Sequence, residues 1–148
     1  MKWLSKNANS VEALASVATA IVAIAALIGI KYQLEAADRI QKAQTAREAY
    51  RSHLALSVAN PSFAMPDDAC KLNDGANAGA YISYVDHLLY SAEQMLEVEP
   101  GWETTFEEAL QPHASYICSE NVELGATDKV EDLINDFRGK ICTKVPKC

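Results

Sequence analysis

The sequence predicts an all-α protein: an N-terminal transmembrane helix continuing into a helical stalk, followed by a small irregular helical bundle. Three observations predict this. Eighteen consecutive residues, 13–30, carry no charge and no proline, which as a helix crosses most of a hydrocarbon layer of about 30 Å. No proline or glycine interrupts residues 31–60, and their Ala, Gln, Leu, Glu and Arg content favours helix throughout. Beyond them, apolar residues recur at helical spacing over 78–98 and again over 130–137. The chain accordingly divides into an N-terminal flank (1–10), a transmembrane helix (11–31), a stalk (32–59), an acidic helical domain (60–139) and a flexible tail (140–148).

At the N-terminal end, Asn9 with Glu12 three places on is a variant capping box. Trp3 and Tyr32 flank the apolar run as interfacial aromatics do. The run is longer than the apolar region of a usual signal peptide, and Lys31, Gln33 and Glu35 after it continue a helix rather than form a cleavage site. A spanning helix is therefore expected, with the lipid bilayer as its first partner. Lys31, Arg39, Lys42, Arg47 and Arg51 follow the span, against Lys2, Lys6 and the terminal amine before it. The positive-inside rule then puts the domain in the cytoplasm, at the bacterial inner membrane.

In the stalk, Glu35 with Arg39 and Asp38 with Lys42 stand acid-first at i,i+4, the favoured order. A stripe alternating in steps of four and three runs through Ala15, Thr19, Val22, Ala26, Gly29, Gln33, Ala36, Ile40, Ala43, Arg47, Tyr50 and Leu54. This is a heptad-type seam, rich in small residues within the apolar run, of the kind that lets helices approach closely. Leu14, Val17, Ile21, Ile24 and Ile28 form a bulkier stripe elsewhere on the helix. The seam is the expected helix–helix interface, toward a second copy of the chain or toward another membrane protein.

Asn60-Pro61 ends the long helix, because the residue before proline is pushed out of the helical region. Pro66, Asp67, Asp68, Asn73, Asp74 and Gly75 mark residues 61–77 as an irregular loop. Residues 78–98 read as the central helix, with Tyr81, Ile82, Val85, Leu88, Leu89, Ala92, Met95 and Leu96 on one face. Pro100-Gly101 breaks it. Thr104 and Glu107 then form a capping box for a helix that turns Trp102, Phe106 and Leu110 inward, and Pro112 splits that helix before 113–118. Asp128 and Glu131 open a last amphipathic helix through Val130, Leu133, Ile134 and Phe137, stopping at Gly139.

After Arg51 six basic residues face sixteen carboxylates, a field that excludes nucleic acid as a partner held through its phosphates. Cys70, Cys118, Cys142 and Cys148 lack zinc-site spacing. They stay thiols in a reducing cytoplasm and form two disulfides outside it. Cys118 reads as buried and inert, His113 as a hydrogen-bonded residue at a helix start, and His87 as structural on the polar side of the central helix. The acidic clusters Glu97, Glu99 and Glu103, Glu107, Glu108 lack calcium-loop spacing and read as a solvated face. No phosphate-cradling glycine loop or nucleophile elbow occurs, so no residue is assigned as catalytic, and no metal or cofactor is expected.

Residues 46–50 (Ala-Arg-Glu-Ala-Tyr), 60–64 (Asn-Pro-Ser-Phe-Ala), 81–93 and 113–116 (His-Ala-Ser-Tyr) carry a resemblance to a loose group of small bacterial single-span membrane proteins with a helical C-terminal domain. The architecture also resembles nucleotide-sensing membrane effectors of prokaryotic defence. The first resemblance brings no activity with it. The expected function is that of a non-enzymatic bitopic protein, an assembly or accessory subunit binding itself or the subunits of a membrane complex. The alternative is a ligand-responsive, nucleotide-gated oligomeric effector, with a small-ligand pocket between residues 61–77 and the tyrosine-rich central helix.

Overall fold

A computed structural model of the chain describes residues 8–119 and 127–148. Every regular element among them is helical. The first, α1 (Ala8–Ala59), runs 52 residues without interruption, about 78 Å at the α-helical rise. Span and stalk are thus one helix. It already includes Asn9, so that residue lies inside the first turn rather than capping it; Trp3 lies outside the described residues.

The chain forms two compact units, Met1–Ile40 and Gln41–Cys148. In the first, an apolar window of mean hydropathy 2.5 contains no buried residue, and this is one helix long and apolar enough to cross a membrane. From Glu12 to Ile40 only Gly29 and Ala36 are even half-buried. The two hydroxyls of the apolar run turn inward along the backbone: Ser16 Oγ donates to the Glu12 carbonyl and Thr19 Oγ1 to that of Ala15, both at 2.9 Å. Each hydroxyl thus has an acceptor within its own helix, which suits it to an environment without water. Glu35 meets Lys31 at 3.8 Å.

The second unit begins nineteen residues before the end of α1. This corrects the stalk: residues 41–59 are a core helix of the domain, with Ala46 and His53 fully or nearly fully buried. After α1, Asn60 donates its side-chain amide back to the Leu56 carbonyl at 3.1 Å. The segment expected as a loop contains two short helices, α2 (Pro61–Ala64) and α3 (Ala69–Asp74). Asp68 caps α3 by accepting from the Lys71 amide at 3.1 Å.

The central helix, α4, spans Ala78–Val98, the range read from its periodicity. Its expected face is buried apart from Ile82, which packs at the edge of the core. Tyr84 and Ser91 are buried as well, because α1 covers a second side of α4: Ser91 Oγ reaches the Ala49 carbonyl at 3.2 Å. Gly101 turns the chain after α4 with φ +95°, a conformation that favours glycine. Helix α5 (Glu103–Leu110) then starts one residue before Thr104, with Trp102 at its N-cap and no side-chain cap bond; the Thr104 capping box does not form. Phe106 and Leu110 are fully buried, as expected. Pro112 sits in a 3-10 turn (Gln111–His113) leading into α6 (Ala114–Ile117).

The last helix, α7 (Asp128–Ile141), buries Val130, Leu133, Ile134 and Phe137. It passes Gly139, where no left-handed turn is made. The tail expected to be mobile is tied down. Cys142 is bonded to Cys118 and Cys148 to Cys70, the Cys148 amide donates to the Ser115 carbonyl at 3.3 Å, and Val145 packs on the core.

Candidate functional site

The chain has three histidines, and the second unit gathers all of them. His53 comes from α1, His87 from α4 and His113 from the turn before α6. The rings of His53 and His87 stack at 5.8 Å and 19°. Tyr84 lies between His53 and His113, 4.9 Å and 5.7 Å from their ring centres. His53 and His113 are buried and His87 is half-buried, which corrects the placement of His87 on the polar side of α4.

Ser57 Oγ donates to the His53 carbonyl at 2.9 Å and lies 2.6 Å from Tyr84 Oη. Both hydroxyl oxygens also approach His53 Nε2, Ser57 Oγ at 3.5 Å and Tyr84 Oη at 3.4 Å. The buried Nδ1 of His53 has no hydrogen-bond partner. Tyr81 Oη pairs with His113 Nδ1 at 2.9 Å, so His113 is hydrogen-bonded, while Cys118 is in a disulfide.

Burial dominates the protonation of this cluster. It lowers His53 to about 4, with repulsion from His87 as the second cause. It lowers His113 to about 4 as well, with His53 as the second cause. Burial also raises Tyr81, and Tyr116 and Tyr84 add to that rise. Near neutral pH His53 and His113 are therefore neutral within a hydrogen-bonded core. Sequence reasoning missed His53, Ser57 and Tyr84 as a group. The available signal was the spacing 43, 46, 50, 53, 57 on α1, a second alternation of three and four that shares only Ala43 and Tyr50 with the chosen seam.

The seam residues separate accordingly. Ala15, Thr19, Val22 and Ala26 are exposed, and a Cβ added at Gly29 would touch nothing within 4 Å. Ala36 is half-buried and Ile40 exposed. Farther along, Ala43 and Tyr50 turn into the domain, Tyr50 edge-on to Trp102 at 5.0 Å and to Phe106 at 5.8 Å. Arg47 and Leu54 remain exposed, with Arg47 3.6 Å from Glu99.

Residues 61–77 pack onto the tyrosines rather than standing away from them: Phe63 lies edge-on to Tyr81 and Tyr84 and Ala69 is buried. The acidic clusters are partly paired across helices, Glu97 with Lys129 at 3.4 Å and Glu107 with Lys140 at 2.6 Å. Among the described residues no three His, Cys, Asp or Glu side chains converge as metal ligands would.

All four cysteines are paired. Cys118–Cys142 joins the ends of α6 and α7, and Cys70–Cys148 joins α3 to the tail. Comparison of the chain with protein-family models, with curated proteins and with solved structures finds no match.

Proposed function

We propose that this chain is a non-enzymatic bitopic protein of the bacterial inner membrane. In this reading it works as an assembly or accessory subunit, through its exposed helix face in the membrane and its acidic domain outside it. The observation that carries the reading is the apolar stretch of α1, which exposes Leu14, Ile21, Val22 and Leu27 each by more than 60%. Surface of that extent on one helix calls for lipid or another helix around it.

The paired cysteines favour the oxidising side of the membrane for the domain, since structural disulfides persist there and not in a reducing cytoplasm. This reverses the side expected from charge. Lys42, Arg47 and Arg51 belong to the unit that begins at Gln41, and whole domains translocate largely regardless of their charge. What remains, with the terminal amine set aside, is Lys31 and Arg39 against Lys2 and Lys6, an even count.

The small-residue face Ala15, Thr19, Ala26 and Gly29 is the proposed contact within the membrane. The test is crosslinking in membranes followed by purification, comparing the native chain with Ala26→Leu/Gly29→Leu. The native chain should give a discrete adduct, with itself or with a partner subunit, and the variant should lose it while remaining membrane-bound. An unchanged adduct pattern would remove the seam from the reading, and release of the native chain by alkaline carbonate would remove the membrane helix.

A further inference from the structure

We infer that a groove between α1 and α4 is a binding site for a small molecule whose flat ring carries one anionic group, a phosphate or a carboxylate. The groove has a volume of about 920 Å³, within the range of small-molecule sites. Arg47, Glu48, Arg51 and Ser52 of α1 line it together with His87 and Tyr90 of α4.

Arg47 and Arg51 stand at i,i+4, so their guanidinium groups share a face of α1. In the stretch that follows them, carboxylates far outnumber bases, and two arginines side by side are a local exception to that field. Their present partners hold them loosely. Arg47 is 3.6 Å from Glu99 and Arg51 is 3.4 Å from Glu48, with every side chain at least 45% exposed. Solvent-exposed pairs of this kind contribute little, whereas a guanidinium meets a phosphate or carboxylate through two parallel hydrogen bonds. An anion in the groove therefore exchanges weak partners for a better one.

His87 lines the groove from the α4 side. Its Nδ1 is withdrawn from water and so lies out of reach of a molecule in the groove. Its Nε2 lies 3.5 Å from Ser52 Oγ, so the imidazole is positioned from the α1 side. Tyr90, 48% exposed, stands 6.3 Å from the His87 ring at 69° and offers a wall for a flat ring. Glu48 in the lining and Glu99 beside Arg47 set an upper limit on charge. Two guanidinium groups with two carboxylates beside them suit a single phosphate or carboxylate, not a polyphosphate.

The site does not depend on the side of the membrane or on assembly. The test uses the full chain in detergent micelles, titrated with phenyl phosphate, benzoate and inorganic phosphate while the His87 ring resonances are followed by NMR. Phenyl phosphate or benzoate should bind saturably and move the His87 signals, and the better of the two names the anionic group. Arg47→Gln and Arg51→Gln, both on exposed positions and checked for an unchanged melting temperature, should each weaken that binding by about tenfold. Tyr90→Ala should weaken binding of the ring-bearing probe and leave inorganic phosphate as it was. The inference is overturned if neither ring-bearing probe saturates by about 10 mM, if the arginine variants bind as the native chain does, or if inorganic phosphate binds as tightly as phenyl phosphate.

Discussion

His53 and His113 are imidazoles kept neutral by the fold, and the consequence is a stability that depends on acidity. Both have folded-state values lowered to about 4, against about 6.5 in an unfolded chain. Between those values the unfolded chain binds more protons, so stability rises with pH across this window and falls as pH drops from about 6.5 toward 4. Their described partners are hydroxyls and rings rather than carboxylates, so no neighbouring anion offsets protonation. At about 1.4 kcal/mol per pKa unit, His113, which is 1% exposed, should by itself account for about 3 kcal/mol. Urea midpoints measured between pH 7 and pH 4 should decline steeply through this range, and a flat profile would contradict the buried cluster. Little of this was legible in advance. The three histidines lie far apart in the sequence and on three elements, and nothing local marks such pairs as neighbours.

Legibility differs among the elements for a related reason. Helix α4 was readable end to end because 21 residues give a 3.6-residue period room to repeat, and the end of α1 was readable because Asn60-Pro61 forbids its continuation. Helices α2 and α3, of four and six residues, are too short to display a period at all. The Thr104–Glu107 pattern matched a capping box by spacing alone, while the chain entered α5 one residue earlier. The domain role of residues 41–59 was hidden by composition, since the inward face is Ala46, Tyr50, His53 and Ser57 rather than leucine or valine. That face makes a contrast testable. Ala46 has no exposed surface, so Ala46→Leu should overpack the α1 contact and cost about 1–3 kcal/mol. The same change at Ala55, on the exposed side of the helix, should stay within about 0.5 kcal/mol. Denaturation midpoints of the two variants in micelles decide it; equal effects would mean that α1 does not pack at Ala46.

For the molecule as a whole, the two cross-links organise the domain. They separate their cysteines by 24 and 78 residues, and closing loops of those lengths in the unfolded chain corresponds to roughly 3 and 4.5 kcal/mol in the chain-entropy account. Reduction should therefore lower the melting temperature of the domain markedly, with Cys70→Ser/Cys148→Ser reproducing part of the loss. The same bonds test the side of the membrane proposed for the domain. Protein taken from cells under denaturing, non-reducing conditions and treated with a maleimide-linked polymer should show no mass shift, and four additions after reduction. Four additions without reduction would put the domain in the cytoplasm.

The pairing is also nested: Cys118–Cys142 lies wholly inside the loop closed by Cys70–Cys148. A chain threaded across the membrane from its N-terminal end delivers Cys70 and then Cys118, and both reach the far side before either native partner. The bond available first is thus the wrong one, and it is displaced only by thiolate attack once Cys142 and Cys148 arrive. Biogenesis of this domain on the oxidising side would therefore depend on disulfide exchange as well as on oxidation, and cells lacking an isomerase should accumulate it mispaired.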